Sequence, residues 1–314
     1  MSSPTKTSPT KPVSELRQRM IDDMIARNLG HACQRGHIAS CKRFAAYLKR
    51  SPDTATADEV RAFQKQLMED GLTICNRNRI MTGLKFLLKV TLRRHDLAAE
   101  IYHLKEPVKL PLVLAPDEVK RIIAMAPGFK ARVMLTIAYG CGLRAGEVVR
   151  LRVCDIDGAQ RIIRIVQSKG RKDRNVMLPE QVHVLLREWW CERPICYDIG
   201  IPSDERWIFP GRAEHESLTT RQFSRLFHEA VAAAGIKKHV SLHSMRHSFA
   251  THMLEQGTDI RVIQAILGHD KLDTTARYVR VATGLIANIV SPLDQITERR
   301  KTKKKDRKDE PPTK

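Results

Sequence analysis

The sequence predicts a mainly α-helical chain of two domains, the second of which is α+β with one small β-sheet. Apolar residues recur at helical spacing from residue 14 to about residue 95, and the same spacing returns beyond residue 115. Two short strand-like runs, Arg161–Gln167 and Asn175–Leu178, flank the stretch SKGRKDR, which is typical of a hairpin turn. Between the two helical regions stands KEPVKLPL (residues 105–112), whose two prolines predict an extended linker.

The first region predicts four helices with unusually basic polar faces. Ser14 can cap the first helix, and the third begins with the capping-box pair Thr56 and Glu59. In the second and fourth helices the bases outnumber the acids, whereas a solvated face would normally mix both signs in i,i+4 pairs. We therefore favour a DNA-binding surface over simple solvent exposure. The bases are Arg17, Arg27, Arg35, Lys42, Arg43, Lys49, Arg50, Arg77, Arg79, Lys85, Lys89, Arg93 and Arg94.

Composition also points to a polyanionic partner. Lys and Arg number 55 against 35 Asp and Glu, which gives a formal net charge of +20 in 314 residues. Nucleic acid is the commonest polyanion, and a basic protein that merely stays soluble is the alternative. No apolar run is long enough to span a bilayer, and residues 1–12 lack the apolar core of a secretory signal. Seven scattered cysteines suit reduced thiols in a cytoplasmic protein. Because no cluster has metal-ligand spacing, we expect neither a metal nor another cofactor.

Three patches of the second region contain residue types that suit phosphate chemistry. YGCGLRAGEVVRL (139–151) places Arg144 and Glu147 three apart at the start of a helix. QSKGRKDRNVMLP (167–179) places Lys169 where a strand enters a turn. SLHSMRHSFATHML (241–254) places His243 and Arg246 near a helix N-terminus, which favours an anion. Each patch also has an ordinary explanation. Arg144 and Glu147 could form an exposed ion pair, Lys169 could lie at a solvated hairpin tip, and the spacing of His243 and Arg246 could arise by chance.

A fourth patch, LGHDKLDTTARYV (267–279), completes a series. It contains His269 directly after the helix-ending Gly268, and Tyr278 in a short helix, where a tyrosine would by default be a packing residue. Taken in order, the four patches give the set Arg144, Lys169, His243, Arg246, His269 and Tyr278. This set and its local wording (GLRAGE, SKGRKDR, HSMRHSFATHML, LGHDKLDTTARY) resemble the tyrosine recombinase (phage integrase-like) family of the bacterial type. Val279-Arg280 departs from the Thr-His that many members have after the tyrosine.

The resemblance implies a site-specific recombinase that cleaves and rejoins DNA strands through a 3′-phosphotyrosyl intermediate, without a metal. Tyr278 would be the covalent nucleophile. Arg144 and Arg246 would neutralise charge on the phosphate, to which His269 would donate a further hydrogen bond. Glu147 would orient Arg144 rather than act on DNA.

The remaining two roles concern proton transfer. His243 would be the acid/base partner of the tyrosine, and Lys169 would protonate the departing 5′ oxygen. A type IB topoisomerase-like enzyme, which restores the same strands, and a binding-only DNA regulator stay open as alternatives. The complete set of site residues argues against the binding-only protein.

The resemblance also predicts the organisation of the chain and its partners. The expected parts are a disordered leader (1–12), a helical core-binding domain (13–104), the linker (105–112), a catalytic domain (113–292) and a basic disordered tail (293–314). We expect the two domains to form a C-shaped clamp around double-stranded DNA. The protein is expected to act as a homo-oligomer, a tetramer when two sites are paired, with integration, excision or resolution of a mobile element as the outcome. The apolar segment 281–294 suits exchange between neighbouring subunits or capping of its own domain.

Overall fold

The computed structural model describes residues 14–107, 111–166, 173–194, 200–211 and 215–268. The chain divides into two compact units, with the boundary between Val108 and Lys109. This boundary falls inside the segment 105–112, while the finer division into leader, domains, linker and tail stays a prediction. The expected fold class is confirmed, because the described residues form twelve α-helices and three short strands.

The first unit contains five α-helices in its described residues. They are α1 (Glu15–Ala26), α2 (His31–Leu48), α3 (Ala57–Glu69), α4 (Ile74–Phe86), which continues as a π-helical turn over Leu87–Thr91, and α5 (His95–Ala99). The predicted caps are confirmed: the Ser14 side chain accepts from the Arg17 N–H, and Thr56 and Glu59 form the reciprocal capping box. Helix α5 was not predicted, because five residues are too few to display a helical period.

The core of the first unit is formed by the apolar faces of these helices. Phe44 of α2 and Phe63 of α3 are buried, and their ring centroids are 4.9 Å apart. Met24 of α1 and Leu84 of α4 are fully buried in the same cluster. Most of the basic residues of this unit, such as Arg35, Lys42 and Lys49, are exposed, since burial of an unpaired charge is costly.

The second unit contains seven α-helices and the sheet in its described residues. They are α6 (Pro116–Ala124), α7 (Phe129–Gly140), α8 (Ala145–Val149), β1 (Ile156–Asp157), β2 (Ile162–Ile165), β3 (Arg174–Met177), α9 (Glu180–Glu192), α10 (Thr220–Ala233), α11 (Leu242–Glu255) and α12 (Ile260–Leu267). The glycines predicted to stop helices, Gly235, Gly257 and Gly268, have φ angles of 66°, 84° and 61° after α10, α11 and α12. No helix among the described residues is long and apolar enough to cross a membrane.

The sheet is antiparallel, in the order β1-β2-β3. Ile163 pairs with Val176, and Ile165 with Arg174. The two predicted strand-like runs therefore pair as expected. Strand β1 was not predicted, because two residues cannot display the alternation that marks a strand.

Helix α11, which carries His243 and Arg246, is fixed to the segment that enters the second unit. The Leu114 N–H donates to the Ser248 hydroxyl of α11 at 2.8 Å. One turn further on, His252 Nδ1 lies 2.9 Å from the Tyr139 hydroxyl of α7. These contacts fix α11 to α7 and to the entering chain.

Candidate active site

The candidate site is built around the buried carboxylate of Glu147 on α8. Arg144 occupies the N-cap position of this helix, and its backbone N–H donates to Glu147 Oε2 at 2.8 Å. The Arg144 guanidinium lies over the first turn of the helix and donates to Glu147 Oε1, also at 2.8 Å. Only 4% of the Glu147 side chain is exposed, against 22% for Arg144. The predicted role of Glu147 in orienting Arg144 is consistent with this geometry.

A further arginine, Arg174 of β3, binds the same carboxylate. Its two terminal nitrogens donate to the two oxygens of Glu147 at 2.9 and 2.8 Å, which is the bidentate arrangement that guanidinium and carboxylate prefer. Arg174 is not in the predicted site. In the sequence, Arg174 is one of several basic residues in the SKGRKDR stretch. No pattern in that stretch indicates which of these bases faces the interior.

Arg246 is the third arginine near Glu147. One of its terminal nitrogens lies 3.8 Å from Glu147 Oε2 and donates to the Gly142 carbonyl at 2.7 Å. The side chain is fully buried. Below, Glu147 together with Arg144, Arg174 and Arg246 is called the Glu147 arginine cluster.

The charges of the cluster determine the ionisation of Glu147. Burial raises the pKa of this carboxyl, but the hydrogen bonds from Arg174 and from the Arg144 backbone outweigh burial. The pKa is lowered from the ordinary value of 4.5 to about 2. Glu147 is therefore ionised throughout the neutral range, and its negative charge compensates positive charge of the arginines around it.

The C-terminal end of α12 is a second acceptor for all three arginines. Arg174 Nε donates to the Ile266 carbonyl at 2.7 Å, Arg246 donates to the Leu267 carbonyl, and Arg144 lies 3.4 Å from the Gly268 carbonyl. The last carbonyls of a helix have no partner within the helix and carry the negative end of its dipole, so they attract cations. The next residue along the chain is His269.

Gly268 makes this helix end possible. Its φ of 61° is left-handed, and a Cβ at this position would lie 2.9 Å from Arg174 Cδ. Any side chain here would meet both the backbone strain and Arg174.

His243 occupies the first turn of α11, three residues before Arg246, as predicted. Its side chain is exposed, and its ring packs edge-on against His247 with centroids 4.4 Å apart. Arg246, in contrast to the exposed His243, is fully buried in the interior. The reason is that Gly142 and the end of α12 offer it carbonyl acceptors.

Three predicted site residues lie outside the described residues: Lys169, His269 and Tyr278. The apolar segment 281–294 and the basic tail also lie outside them. Among the residues that the structure describes, no group of three or more His, Cys, Asp or Glu side chains could hold a metal ion.

The class of protein follows from comparison with known families. Residues 113–284 match the model "Phage integrase family", and residues 16–95 match "Phage integrase, N-terminal SAM-like domain". The chain belongs to the phage integrase family of tyrosine recombinases, whose members cleave and rejoin DNA strands. The predicted family and enzyme class are confirmed.

Individual relatives agree with this assignment. The chain is 35% identical over 284 residues to a putative integrase/recombinase, y4qK, of Sinorhizobium fredii, covering 90% of this chain and 89% of the relative. It is 33% identical to tyrosine recombinase XerD of Caulobacter vibrioides, covering 75% and 80%. These names favour recombination over the topoisomerase-like and binding-only alternatives.

Solved structures show the same fold at low sequence identity. The integrase of transposon Tn1549, in complex with circular intermediate DNA, aligns with a TM-score of 0.67 at 16% identity, covering 91% of this chain and 99% of that chain. A lambda integrase dimer bound to a core site aligns with a TM-score of 0.65 at 18% identity, covering 84% and 93%.

Proposed function

We propose that Tyr278 attacks a phosphodiester of duplex DNA, and that the Glu147 arginine cluster prepares the phosphate for this attack. The observation behind the proposal is the set of contacts that holds Arg144 on Glu147 and beside the Gly268 carbonyl. Arg144 keeps 22% of its side chain exposed, so its guanidinium can meet a phosphate while its orientation is held. A pre-oriented guanidinium stabilises charge that develops on phosphate oxygens without first having to reorganise.

The proposed reaction conserves the energy of the phosphodiester bond. The phenolic oxygen of Tyr278 bonds to phosphorus while the bond from phosphorus to the 5′ oxygen breaks, which leaves a 3′-phosphotyrosyl link and a 5′ hydroxyl. The phenol proton passes to His243, and Lys169 supplies a proton to the departing 5′ oxygen. The 5′ hydroxyl of a second strand then attacks the phosphotyrosine and releases the enzyme.

Charge on the non-bridging oxygens requires donors in addition to Arg144. His269 follows the helix end on which the arginines converge, and Arg246 lies beside Glu147. For Arg246 the proposal requires that the guanidinium give up a carbonyl contact to reach the phosphate. These donors supply the neutralisation that a metal ion provides in other phosphoryl-transfer enzymes, so the proposed reaction needs no cofactor.

The first unit supplies basic residues that are proposed to bind the phosphates of the duplex. Arg35, Lys42 and Lys49 are spaced by seven residues along and just beyond α2, which places them on one side of that helix. All three side chains are exposed, and none forms an ion pair with an acid among the residues that the structure describes. These three residues are called the α2 basic stripe below.

We extend the proposal to the assembly on DNA. The α2 basic stripe would lie on phosphates of the duplex, and the Glu147 arginine cluster would lie at the scissile bond. Four copies would pair two DNA sites, and the segment 281–294 would pass between neighbouring copies. The reaction would take place in the cytoplasm, where the cysteines stay reduced; six of them are unpaired in the described part of the chain.

The test is covalent capture on nicked duplex DNA, in which the released 5′ fragment diffuses away and traps the intermediate. The full chain should form an adduct that resists denaturant, and should do so in EDTA. Tyr278→Phe removes only the hydroxyl and should bind DNA as the wild type does while forming no adduct. An adduct with Tyr278→Phe, or activity that vanishes in EDTA and returns with magnesium, would contradict the proposed mechanism.

A further inference from the structure

We propose that Arg174 is a positioning residue for strand transfer: it holds Glu147, and through Glu147 the Arg144 guanidinium, in the orientation that meets the phosphate. This inference rests on the proposed function and assigns a role to a residue outside the predicted catalytic set. Three features of the structure support it: the geometry of its contacts, its burial and its place in the chain.

The contacts of Arg174 fix the carboxylate of Glu147 in one plane. Both oxygens accept from Arg174, at 2.9 and 2.8 Å, and each also accepts from Arg144, one from the side chain and one from the backbone. A carboxylate bound at both oxygens by a rigid fork cannot rotate, so it offers Arg144 a single orientation. Arg174 thus determines the angle of the Arg144 guanidinium through the carboxylate that both arginines bind.

The bidentate contact of Arg174 points to a role that is exerted through Glu147. Only 8% of its side chain is exposed, and its three nitrogens donate to Glu147 and to the Ile266 carbonyl. All three nitrogens of this guanidinium therefore hold Glu147 or the end of α12. Arg174 therefore acts through its neighbours.

The place of Arg174 in the chain links three parts of the site. It is the first residue of β3, and the segment 167–172, which contains Lys169, immediately precedes Asp173. Its Nε donates to Ile266, three residues before His269. One side chain thus ties the strand that follows Lys169 to Glu147 and to the helix end that precedes His269.

The experiment compares Arg174→Lys with a matched control, Arg164→Lys. Lysine retains the positive charge but cannot form the bidentate contact. Arg164 lies on β2, one residue from the partner of Arg174, and forms an exposed ion pair with Asp157 at 3.0 Å.

For both variants we would measure single-turnover cleavage on the nicked duplex, DNA affinity and thermal unfolding. Arg174→Lys should cleave about 100-fold more slowly, the size of loss expected when a catalytic group is misplaced by about 1 Å. The DNA affinity of Arg174→Lys should stay within about twofold of the wild type, because the lost orientation of Arg144 affects the transition state and not the binding of DNA. The control Arg164→Lys should cleave at the wild-type rate.

Two modified substrates distinguish positioning from general structural damage. A methylphosphonate at the scissile position removes the negative charge that Arg144 neutralises. The deficit of Arg174→Lys, like that of Arg144→Ala, should therefore shrink to about tenfold or less. Sulfur in place of the 5′ oxygen leaves without a proton, so it should rescue Lys169→Ala but neither arginine variant. For a variant that is merely misfolded, the cleavage deficit relative to the wild type stays the same on both modified substrates.

The outcomes separate this inference from the proposed function. An inactive wild type on the unmodified duplex contradicts the proposed function. An active wild type accompanied by a fully active Arg174→Lys contradicts the positioning role alone. The positioning role is also overturned if the deficit of Arg174→Lys is as large on the methylphosphonate as on the phosphate.

Discussion

The replacement Glu147→Gln tests how strongly the buried carboxylate stabilises the second unit. Glutamine keeps the shape of the side chain but removes the charge that compensates Arg174 and Arg246. The pKa of Glu147 is lowered from 4.5 to about 2, and such a shift corresponds to about 3 kcal/mol of folding free energy at neutral pH. The variant should therefore lose about 3 kcal/mol, similar to the cost of breaking other buried ion pairs.

The sign of the pH dependence follows from the lowered pKa. Below pH 4.5 the unfolded chain binds a proton at Glu147 before the folded chain does, so the stabilisation is complete above that pH and is lost as the pH falls towards 2. At pH 3, about 2 kcal/mol of the difference between wild type and Glu147→Gln should have disappeared.

Tryptophan fluorescence during urea unfolding measures this difference in the full chain. All three tryptophans, Trp189, Trp190 and Trp207, lie in the second unit, so their signal reports that unit alone. The control is Glu180→Gln, which removes a 64% exposed partner of Arg161 and should cost well under about 1 kcal/mol. A loss below about 1 kcal/mol for Glu147→Gln, or a loss that stays constant down to pH 3, would refute the reasoning.

Two further predictions concern the α2 basic stripe and Gly268. Replacing the three stripe residues by alanine should reduce the log–log salt slope of DNA binding by about 2.7, or 0.9 per phosphate contact. Replacing the acid-paired bases Arg61 and Lys65 instead should change the slope little. An equal change per residue in the two variants would exclude the stripe as the contact surface. Gly268→Ala should lose about 1–2 kcal/mol from left-handed strain and also cleave slowly, because its Cβ displaces Arg174. Gly235→Ala is the control, because Gly235 is also left-handed but no atom lies within 4 Å of the added Cβ. This variant should lose stability and cleave at the normal rate. Equally slow cleavage by both variants would disprove the contact between the residue 268 side chain and Arg174.

Much of the fold could be predicted because its signals are local. The Thr56–Glu59 capping box and the stops at Gly235 and Gly257 depend on a few neighbouring residues, and the structure has them where the sequence places them. Strand β1 and helix α5 were missed because they are too short to repeat the spacing that reveals a strand or a helix.

The candidate site was predicted only where order along the chain identifies it. The pairing of Arg144 with Glu147 follows from their spacing of three residues, and the structure has it. The inward turn of Arg174 depends on how β3 lies against α12, and the burial of Arg246 depends on carbonyls that become available only after folding. Such contacts between distant segments leave no pattern in a single sequence.

The central claim, that Tyr278 is the covalent nucleophile, is tested most directly by mapping the residue that carries DNA in the trapped adduct. Cleavage before aspartate releases residues 273–293, in which Tyr278 is the only tyrosine. After nuclease digestion, mass spectrometry should find a nucleotide attached through its 3′ phosphate to Tyr278 in this peptide. A nucleotide on any other residue, or one attached through a 5′ phosphate, would contradict the account.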